Sequence, residues 1–159
     1  HLFLFDQIPI DILVDLFSDS SIEVKNEAAT AMSRLIPLIS AEKRQELFEM
    51  FTKQTNIKLK KRGGEFVEEM VQSKHTGALG LSAIILAYPQ DVPDWMPDVL
   101  SQICKCKNSI AQIKKTVETT MAEFWKTHKR NWDQFQDKFT ADQMSEIQDL
   151  VNPYNYFAQ

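Results

Sequence analysis

The chain has little glycine and little cysteine, and it has no long apolar run. Four glycines among 159 residues leave few backbone positions with extra conformational freedom, which favours helices over glycine-rich loops. The two cysteines, Cys104 and Cys106, are two positions apart, and residues at that spacing do not face each other on a helix. We therefore expect two free thiols, one half-buried and one exposed, in a reducing compartment. The longest apolar run, residues 79–87, falls short of the ~20 residues that a membrane-spanning helix needs.

Basic residues are also fewer than acidic ones. The chain carries 18 Lys and Arg against 22 Asp and Glu, which gives a net charge of −4. A general nucleic-acid binder usually has a basic excess, so the composition argues against that class of protein and leaves room only for a local basic patch. The apolar share of 43% and the aromatic share of 10% are typical of a folded domain rather than of a disordered tail.

Residues for catalysis or metal binding are sparse. The sequence has no Gly-x-Ser-x-Gly elbow, no glycine-rich phosphate loop and no His-Glu-x-x-His pair. A structural zinc site needs four ligands, and the three histidines, His1, His75 and His128, are far apart in the sequence. We predict no enzyme, no metal and no cofactor. His75 is expected to pack or to hydrogen-bond on a helix, and His128 to be either a solvated cation or a cation at a helix end.

Apolar residues recur at helical spacing, and no stretch alternates long enough to indicate a strand. The spacing predicts an all-α fold of about seven to eight helices in antiparallel pairs, without a sheet. Serines at positions 20, 21, 40 and 109 and the capping box Thr140–Gln143 are typical of helix starts. The longest helix is predicted over residues 65–87. Gly77 and Gly80 lie inside it, and each costs about 1 kcal/mol relative to Ala, so they indicate close packing against another helix.

An internal repeat indicates how the helices are arranged. Residues 9–38 follow the pattern Pro-x3-Leu-x2-Leu-x2-Asp-x4-Val-Lys-x2-Ala-Ala-x5-Leu, which resembles a HEAT repeat, and residues 93–125 follow it more loosely. One repeat cannot bury its own apolar face, so stacked neighbours share a core. We predict the end of a HEAT- or armadillo-like α-solenoid, with residues 1–152 as one helical domain and residues 153–159 as a tail. The start at His1, followed by the apolar Leu2–Phe5, is expected of a piece of a longer protein.

A basic run occupies the predicted loop over residues 56–64. Its members are Lys58, Lys60, Lys61 and Arg62. Such a run fits a nuclear localisation signal, a patch for an acidic partner or a solvated loop between helices.

Aromatic residues are concentrated in the tail. Tyr154, Tyr156 and Phe157 precede Ala158 and Gln159, in a segment too short to fold alone. These side chains either fold back onto the last helices or dock, with the terminal carboxylate, into pockets on a partner.

Several uncommon residues follow one another in a fixed order in the second half of the chain. They stand as Lys74-His75-x3-Leu79-Gly80-Leu81, Tyr88-Pro89-x-Asp91-Val92-Pro93-x-Trp95-Met96-Pro97, Thr127-His128-x3-Trp132 and Phe139-Thr140-x-Asp142-Gln143. In these motifs the chain resembles the C-terminal region of the proteasome activator complex subunit 4 family, from residue 74 onward. The resemblance is poorest over residues 37–64.

The resemblance implies a non-catalytic function. Members of this family are long HEAT-like solenoids that form a dome over the end of the 20S proteasome, without ATP or ubiquitin, and help to open the gate of its α-ring with their C-terminal residues. The docking residues would be Tyr154, Tyr156, Phe157, Ala158 and Gln159. The Tyr-Tyr-Ala of the family corresponds to Tyr156, Phe157 and Ala158, with Gln159 following. The implied locations are the nucleus and the cytoplasm.

The family is also described as binding acetylated histones through a bromodomain-like segment. A bromodomain-type pocket holds the acetyl carbonyl with an Asn side chain. The Asn-Phe pair of the family would fall near Leu38–Ser40, where no Asn stands. An acetyl-lysine binder that uses a groove between helices is therefore the alternative function, with no residues assigned. No membrane partner and no sequence-specific nucleic acid partner is expected.

Overall fold

The computed structural model describes residues 10–151, and most of these residues are helical. The α-helices are α1 (Ile10–Leu16), α2 (Ile22–Leu35), α3 (Ala41–Thr55), α4 (Glu68–Leu86), α5 (Met96–Cys104), α6 (Ala111–His128), α7 (Trp132–Phe135) and α8 (Ala141–Val151). Single 3₁₀ turns cover Ile36–Leu38, Lys129–Asn131 and Gln136–Lys138. The predicted all-α class is confirmed.

Strand pairing within residues 10–151 is confined to a ribbon between α3 and α4. Strand β1 (Lys61–Arg62) pairs antiparallel with β2 (Glu65–Phe66), with Lys61 opposite Phe66 and Arg62 opposite Glu65. Gly63 and Gly64 have φ of +65° and +88°, a conformation that two-residue hairpin turns require and that glycine adopts without a steric penalty. The helical spacing predicts that this helix begins at Glu65. It begins at Glu68 instead, because Glu65 and Phe66 are paired in the ribbon.

Side-chain caps define three of the helix starts that the sequence predicts. The Ser21 hydroxyl accepts a hydrogen bond from Val24 N at 3.4 Å, and the Ser40 hydroxyl accepts one from Lys43 N at 3.1 Å. At α8 the capping box is complete, because Thr140 N donates to Gln143 Oε1 at 2.9 Å and Gln143 N donates to Thr140 Oγ1 at 3.1 Å. The predicted cap at Ser109 is wrong, since Ile110 holds the N-cap position of α6 and no side chain caps it.

Helix α4 is the centre of the fold. It packs against α2, α3, α5 and α6, and its residues 75–85 are all buried. A β-carbon at Gly77 would lie 2.7 Å from the carbonyl oxygen of Phe51, and one at Gly80 would overlap the Phe51 ring. The close packing predicted from these two glycines is therefore present, and it is made against α3.

The helices form a solenoid-like stack around α4 with one continuous core. Helices α1 and α2 pack together, as do α3 and α4, whereas α5 and α6 make their main contacts with α4 and α8. The core extends from Ile10 to Val151 as a single cluster of buried apolar side chains. None of the helices in the described part of the chain is long and apolar enough to cross a membrane.

Candidate functional site: a groove, a basic ribbon and a fastened C-terminal helix

A groove lies between α2 and α6, with α4 as its floor. Its volume is about 660 Å³, within the range of ~300–1,000 Å³ that is typical of ligand pockets. Leu79, Ala83 and Leu86 of α4 give the floor an apolar surface, and the walls are rich in Thr, Ser, Asn and Gln. The arrangement suits a ligand with an apolar body and a few hydrogen-bonding groups.

Hydrogen bonds between α4 and α6 fix one wall of this groove. The Thr120 hydroxyl lies 2.7 Å from Ser82 Oγ, and Thr116 Oγ1 lies 3.0 Å from His75 Nε2. Because the Thr116 hydroxyl also donates to the carbonyl oxygen of Gln112, it accepts from His75, which places the ring proton on Nε2. His75 Nδ1 is buried with no hydrogen-bond partner in the described residues.

His75 is a neutral packing residue. Burial lowers its pKa to about 4, and the nearby charge of Lys25 acts in the same direction. The ring therefore carries no charge at neutral pH, as expected of a histidine whose role is to join two helices.

The two cysteines are both buried, which corrects the prediction of one exposed thiol. Burial raises the pKa of Cys104 to about 12, with a further contribution from Glu146, and burial also raises the pKa of Cys106. Cys106 lies in the turn after α5, where its Sγ is 3.8 Å from the carbonyl oxygen of Thr55 at the end of α3. Both thiols are protonated at neutral pH and are therefore poor nucleophiles.

Among residues 10–151, no group of three or more His, Cys, Asp or Glu side chains is arranged to hold a metal ion.

His128 is buried at the end of α6, so of the two predicted alternatives the solvated cation is wrong. The side chain is only 2% exposed and stacks on Phe124 with ring centroids 4.1 Å apart. Its Nδ1 lies 2.7 Å from the carbonyl oxygen of Phe124, and its Nε2 lies 2.6 Å from that of Asp91. Carbonyl oxygens only accept, so a ring nitrogen that bonds to either of them does so as the donor. The aromatic residues of α6–α7, which the sequence places near His128, enclose it.

A lysine completes the attachment of the α4–α5 loop. Lys138 Nζ donates to the carbonyl oxygen of Val92 at 2.6 Å and lies 3.4 Å from Asp94 Oδ1. His128 and Lys138 thus hold residues 91–94 from the segment that precedes α8. We call these contacts the loop clamp.

Helix α8 is fastened to α5. Ser101 Oγ donates to Glu146, and Gln143 Nε2 donates to Asp98 Oδ1 at 3.0 Å. Ile147 and Val151 are buried on the same helix. The tail residues Tyr154, Tyr156, Phe157, Ala158 and Gln159 lie outside the described residues, but the helix that precedes them in the sequence is held against α5 through Gln143 and Glu146.

Part of the basic run departs from the predicted loop, because Lys61 and Arg62 form strand β1 of the ribbon, whereas Lys58 and Lys60 lie in the segment that precedes it. Lys58, Lys60, Lys61 and Arg62 are all exposed, and Lys61 Nζ lies 5.0 Å from the centroid of the Phe66 ring. Val67 N donates to the carbonyl oxygen of Lys60 at 2.9 Å, which extends the pairing beyond the two strands.

The groove and the loop clamp were missed by the sequence-based reasoning. Threonines at positions 116, 119 and 120 give α6 a polar stripe at helical spacing, and this signal could have indicated a lined groove. No sequence pattern indicates the contact between Lys138 and Val92, because the two residues are 46 positions apart. Near Leu38–Ser40, where the resemblance places the Asn of an acetyl-lysine pocket, Leu38 is 42% exposed and Ser40 caps α3. An Asn that lines the groove is Asn26, on α2.

The fold defines a helical, solenoid-like domain with a groove and an exposed basic ribbon. A sequence profile described as "Proteasome activator complex subunit 4-like, C-terminal" matches residues 71–158. Proteasome activator complex subunit 4A of Danio rerio is 36% identical over 155 residues, and subunit 4 of Homo sapiens is 34% identical over the same length. In both comparisons the match covers 92% of this chain and 8% of the relative. Proteasome activator BLM10 of Saccharomyces cerevisiae is 23% identical over 150 residues, which cover 88% of this chain and 7% of that protein.

This chain belongs to the proteasome activator complex subunit 4 family, which confirms the resemblance seen in the motifs. It spans about 8% of the length of the relatives it matches, in the region that the profile describes as C-terminal. Several motif residues have structural roles: Gly80 contacts α3, Asp91 and His128 belong to the loop clamp, and Thr140 and Gln143 cap α8.

Proposed function

We propose that this chain is the C-terminal helical end of a proteasome activator that caps the 20S core particle and helps to open the gate of its α-ring, without ATP or ubiquitin. The chain itself is non-catalytic. Support comes from the family to which it belongs, whose members are named proteasome activators, and from the buried, protonated thiols and the neutral His75, which offer no reactive group.

The observation that carries this proposal is the attachment of α8. A free tail would lose most of its contact energy to ordering, since fixing each backbone residue costs about 1–2 kcal/mol. A tail that extends from a fixed helix on a docked protein instead binds at an effective concentration on the order of mM. The contacts of α8 with α5, through Gln143 and Glu146, give the docking residues 154–159 such a fixed origin.

The test uses the intact native protein and purified 20S particles. Gate opening is measured as hydrolysis of a fluorogenic peptide, and capping as co-sedimentation. Deletion of residues 154–159, or Tyr156→Ala, should reduce gate opening, while Gln134→Ala, an exposed position on α7, should leave it unchanged. A free peptide of residues 152–159 should bind 20S only weakly. Full gate opening by the deletion variant would refute the role of the tail.

A second function, binding of acetylated histone tails, is proposed on the basis of the groove. An acetyl-lysine has an apolar stem and one amide, which match the apolar floor at Leu79 and Ala83 and the polar walls. Asn26 in the α2 wall supplies an amide that can donate to the acetyl carbonyl, in place of the Asn missing near Leu38–Ser40.

Acetylated and unmodified histone peptides, titrated in parallel, test the second function. We expect tighter binding of the acetylated peptides, abolished by Asn26→Ala and retained by Asn108→Ala, which alters an exposed Asn away from the groove. Equal affinity for both peptides would exclude acetyl-lysine binding in this chain.

The locations that follow from this function are the nucleus and the cytoplasm. That the basic run acts as a nuclear localisation signal stays a prediction. Replacing Lys58, Lys60, Lys61 and Arg62 by Gln in the intact protein, followed by imaging, tests it, and unchanged nuclear entry would exclude it.

A further inference from the structure

Residues 58–62, in the ribbon and just before it, carry positive charges that form no ion pair within the described residues. The ion pairs in residues 10–151 join Lys43 with Glu46, Lys114 with Glu118 and Lys138 with Asp94. None of these pairs involves Lys58, Lys60, Lys61 or Arg62. Even Arg62, which is opposite Glu65 in the ribbon, forms no ion pair with it. Four cations thus lie within residues 58–62 of a chain whose net charge is −4.

The ribbon presents these cations from a fixed position. The Gly63–Gly64 turn closes it, and the hydrogen bond from Val67 N to Lys60 O extends the pairing. At its base, Lys74 Nζ on α4 donates to the carbonyl oxygen of Ile57 at 2.6 Å. A basic segment held in this way loses less conformational entropy on binding than a flexible loop does.

An exposed aromatic ring lies among the charges. Phe66 is 40% exposed, one of the few large apolar side chains on the described surface. Lys61 lies over its ring, so the ring and three remaining cations are available to a partner. Exposed aromatic residues beside basic groups are common anchors in protein interfaces.

We infer that the basic ribbon is a docking site for an acidic segment of another protein. Carboxylates of the partner pair with Lys58, Lys60 and Arg62, and an aliphatic or aromatic side chain packs on Phe66. This inference does not depend on proteasome activation. A protein segment is favoured over nucleic acid because Glu65 lies in the ribbon and Glu68 and Glu69 follow it, and these carboxylates repel a long polyanion but leave room for a short acidic peptide.

The probe is a short synthetic peptide with glutamates on both sides of a central leucine, labelled for fluorescence anisotropy. Controls are the same peptide with glutamine in place of glutamate and a duplex DNA of similar length. The triple variant Lys58→Gln, Lys60→Gln and Arg62→Gln should weaken binding of the glutamate peptide about tenfold, as expected for three exposed ion pairs. Phe66→Ala should weaken it separately, and added salt should weaken it in the native protein.

A matched triple variant controls for net charge. Lys115, Lys126 and Lys129 are exposed on or just after α6, and replacing all three by Gln removes the same charge from another surface. This variant should bind the glutamate peptide as the native protein does, and circular dichroism should show the same helix content in all variants. Equal affinity for the glutamate and glutamine peptides would overturn the inference. The inference would also be overturned if the α6 variant lost as much affinity for the glutamate peptide as the ribbon variant does. Binding of DNA but not of the glutamate peptide through the ribbon would overturn it too.

Discussion

At the residue scale, Gly77 and Gly80 determine how closely α3 and α4 approach. A β-carbon at Gly77 meets backbone atoms, Phe51 O at 2.7 Å and Thr55 N at 2.9 Å, and backbone cannot move aside without shifting the helix. At Gly80 the neighbour is the fully buried ring of Phe51, which packs on all sides. These residues lower helix propensity, and the packing that they permit more than offsets that cost.

Gly80→Ala should destabilise the protein. Overpacking typically costs about 1–3 kcal/mol, which exceeds the gain of about 1 kcal/mol in helix propensity. Urea unfolding measures the loss. In the double variant with Phe51→Leu the smaller side chain makes room for the new methyl group, so the two effects should be less than additive. Strict additivity would mean that the Gly80–Phe51 contact does not limit packing.

His75 should make stability depend on pH. Its pKa is lowered to about 4 in the fold from an ordinary value of 6.5, so the unfolded chain takes up a proton at a higher pH than the folded chain does. The free energy of unfolding is therefore unaffected by this group above pH 6.5, and it falls as the pH drops from 6.5 towards 4. The slope from one proton is at most about 1.4 kcal/mol per pH unit.

Urea unfolding between pH 4 and 7 measures this dependence, and His75→Gln removes the titrating group. The charge that faces the ring from α2 is Lys25, and it acts with burial to lower the pKa of His75. The native protein should lose stability more steeply than the variant below pH 6.5. Parallel curves for the two proteins would show that His75 does not titrate between the folded and unfolded states.

At the element scale, the loop clamp connects the α4–α5 loop with the segment before α8. His128 and Lys138 donate to the carbonyl oxygens of Asp91 and Val92, so two backbone acceptors in one loop depend on side chains from another part of the chain. Motif residues of the family are found on both sides of this contact. The clamp, rather than helix packing alone, determines where the loop lies.

Lys138→Met should loosen the loop without removing the apolar stem of the side chain. Val92 O would lose its donor, and an unsatisfied buried acceptor costs about 1–3 kcal/mol, with the lower end expected for a half-exposed lysine. Hydrogen exchange of residues 88–95 should become faster. Lys126→Met, at an exposed site on α6, is the control and should leave exchange in this loop unchanged. Unchanged protection in Lys138→Met would mean that His128 alone holds the loop.

At the scale of the whole molecule, one continuous core predicts cooperative unfolding. Buried side chains from Ile10 to Val151 form a single cluster, and α4 contacts helices from both halves of the chain. A solenoid-like stack this short has no separate unit that can unfold alone without exposing the face of α4.

Circular dichroism reports all helices, whereas Trp95, Trp125 and Trp132 report the second half of the chain by fluorescence. Thermal unfolding followed by the two signals should give one coincident transition. A fluorescence transition at a lower temperature than the helical transition would indicate that residues 88–151 unfold as a separate unit.

Much of the fold could be predicted because its signals are local. Helical spacing, the caps at Ser21, Ser40 and Thr140 and the two glycines of α4 act over a few residues, and the structure has each of them where the sequence indicated. The Gly63–Gly64 ribbon was equally local, but the basic composition around it indicated a loop. The errors for the cysteines and for His128 have another origin, since Cys106 contacts Thr55 and His128 contacts Asp91, both distant in the sequence.

The sequence by itself determined the helices, the family and the clustering of basic residues, because periodicity, rare motifs and charge are properties of neighbouring positions. Only the tertiary structure decided that α2 and α6 leave a groove over α4, that a clamp joins residues 91–94 to Lys138, and that the ribbon cations have no carboxylate partner among the described residues. Those features depend on which faces meet when helices far apart in the sequence pack around one core. No pattern of neighbouring residues specifies which of these faces meet.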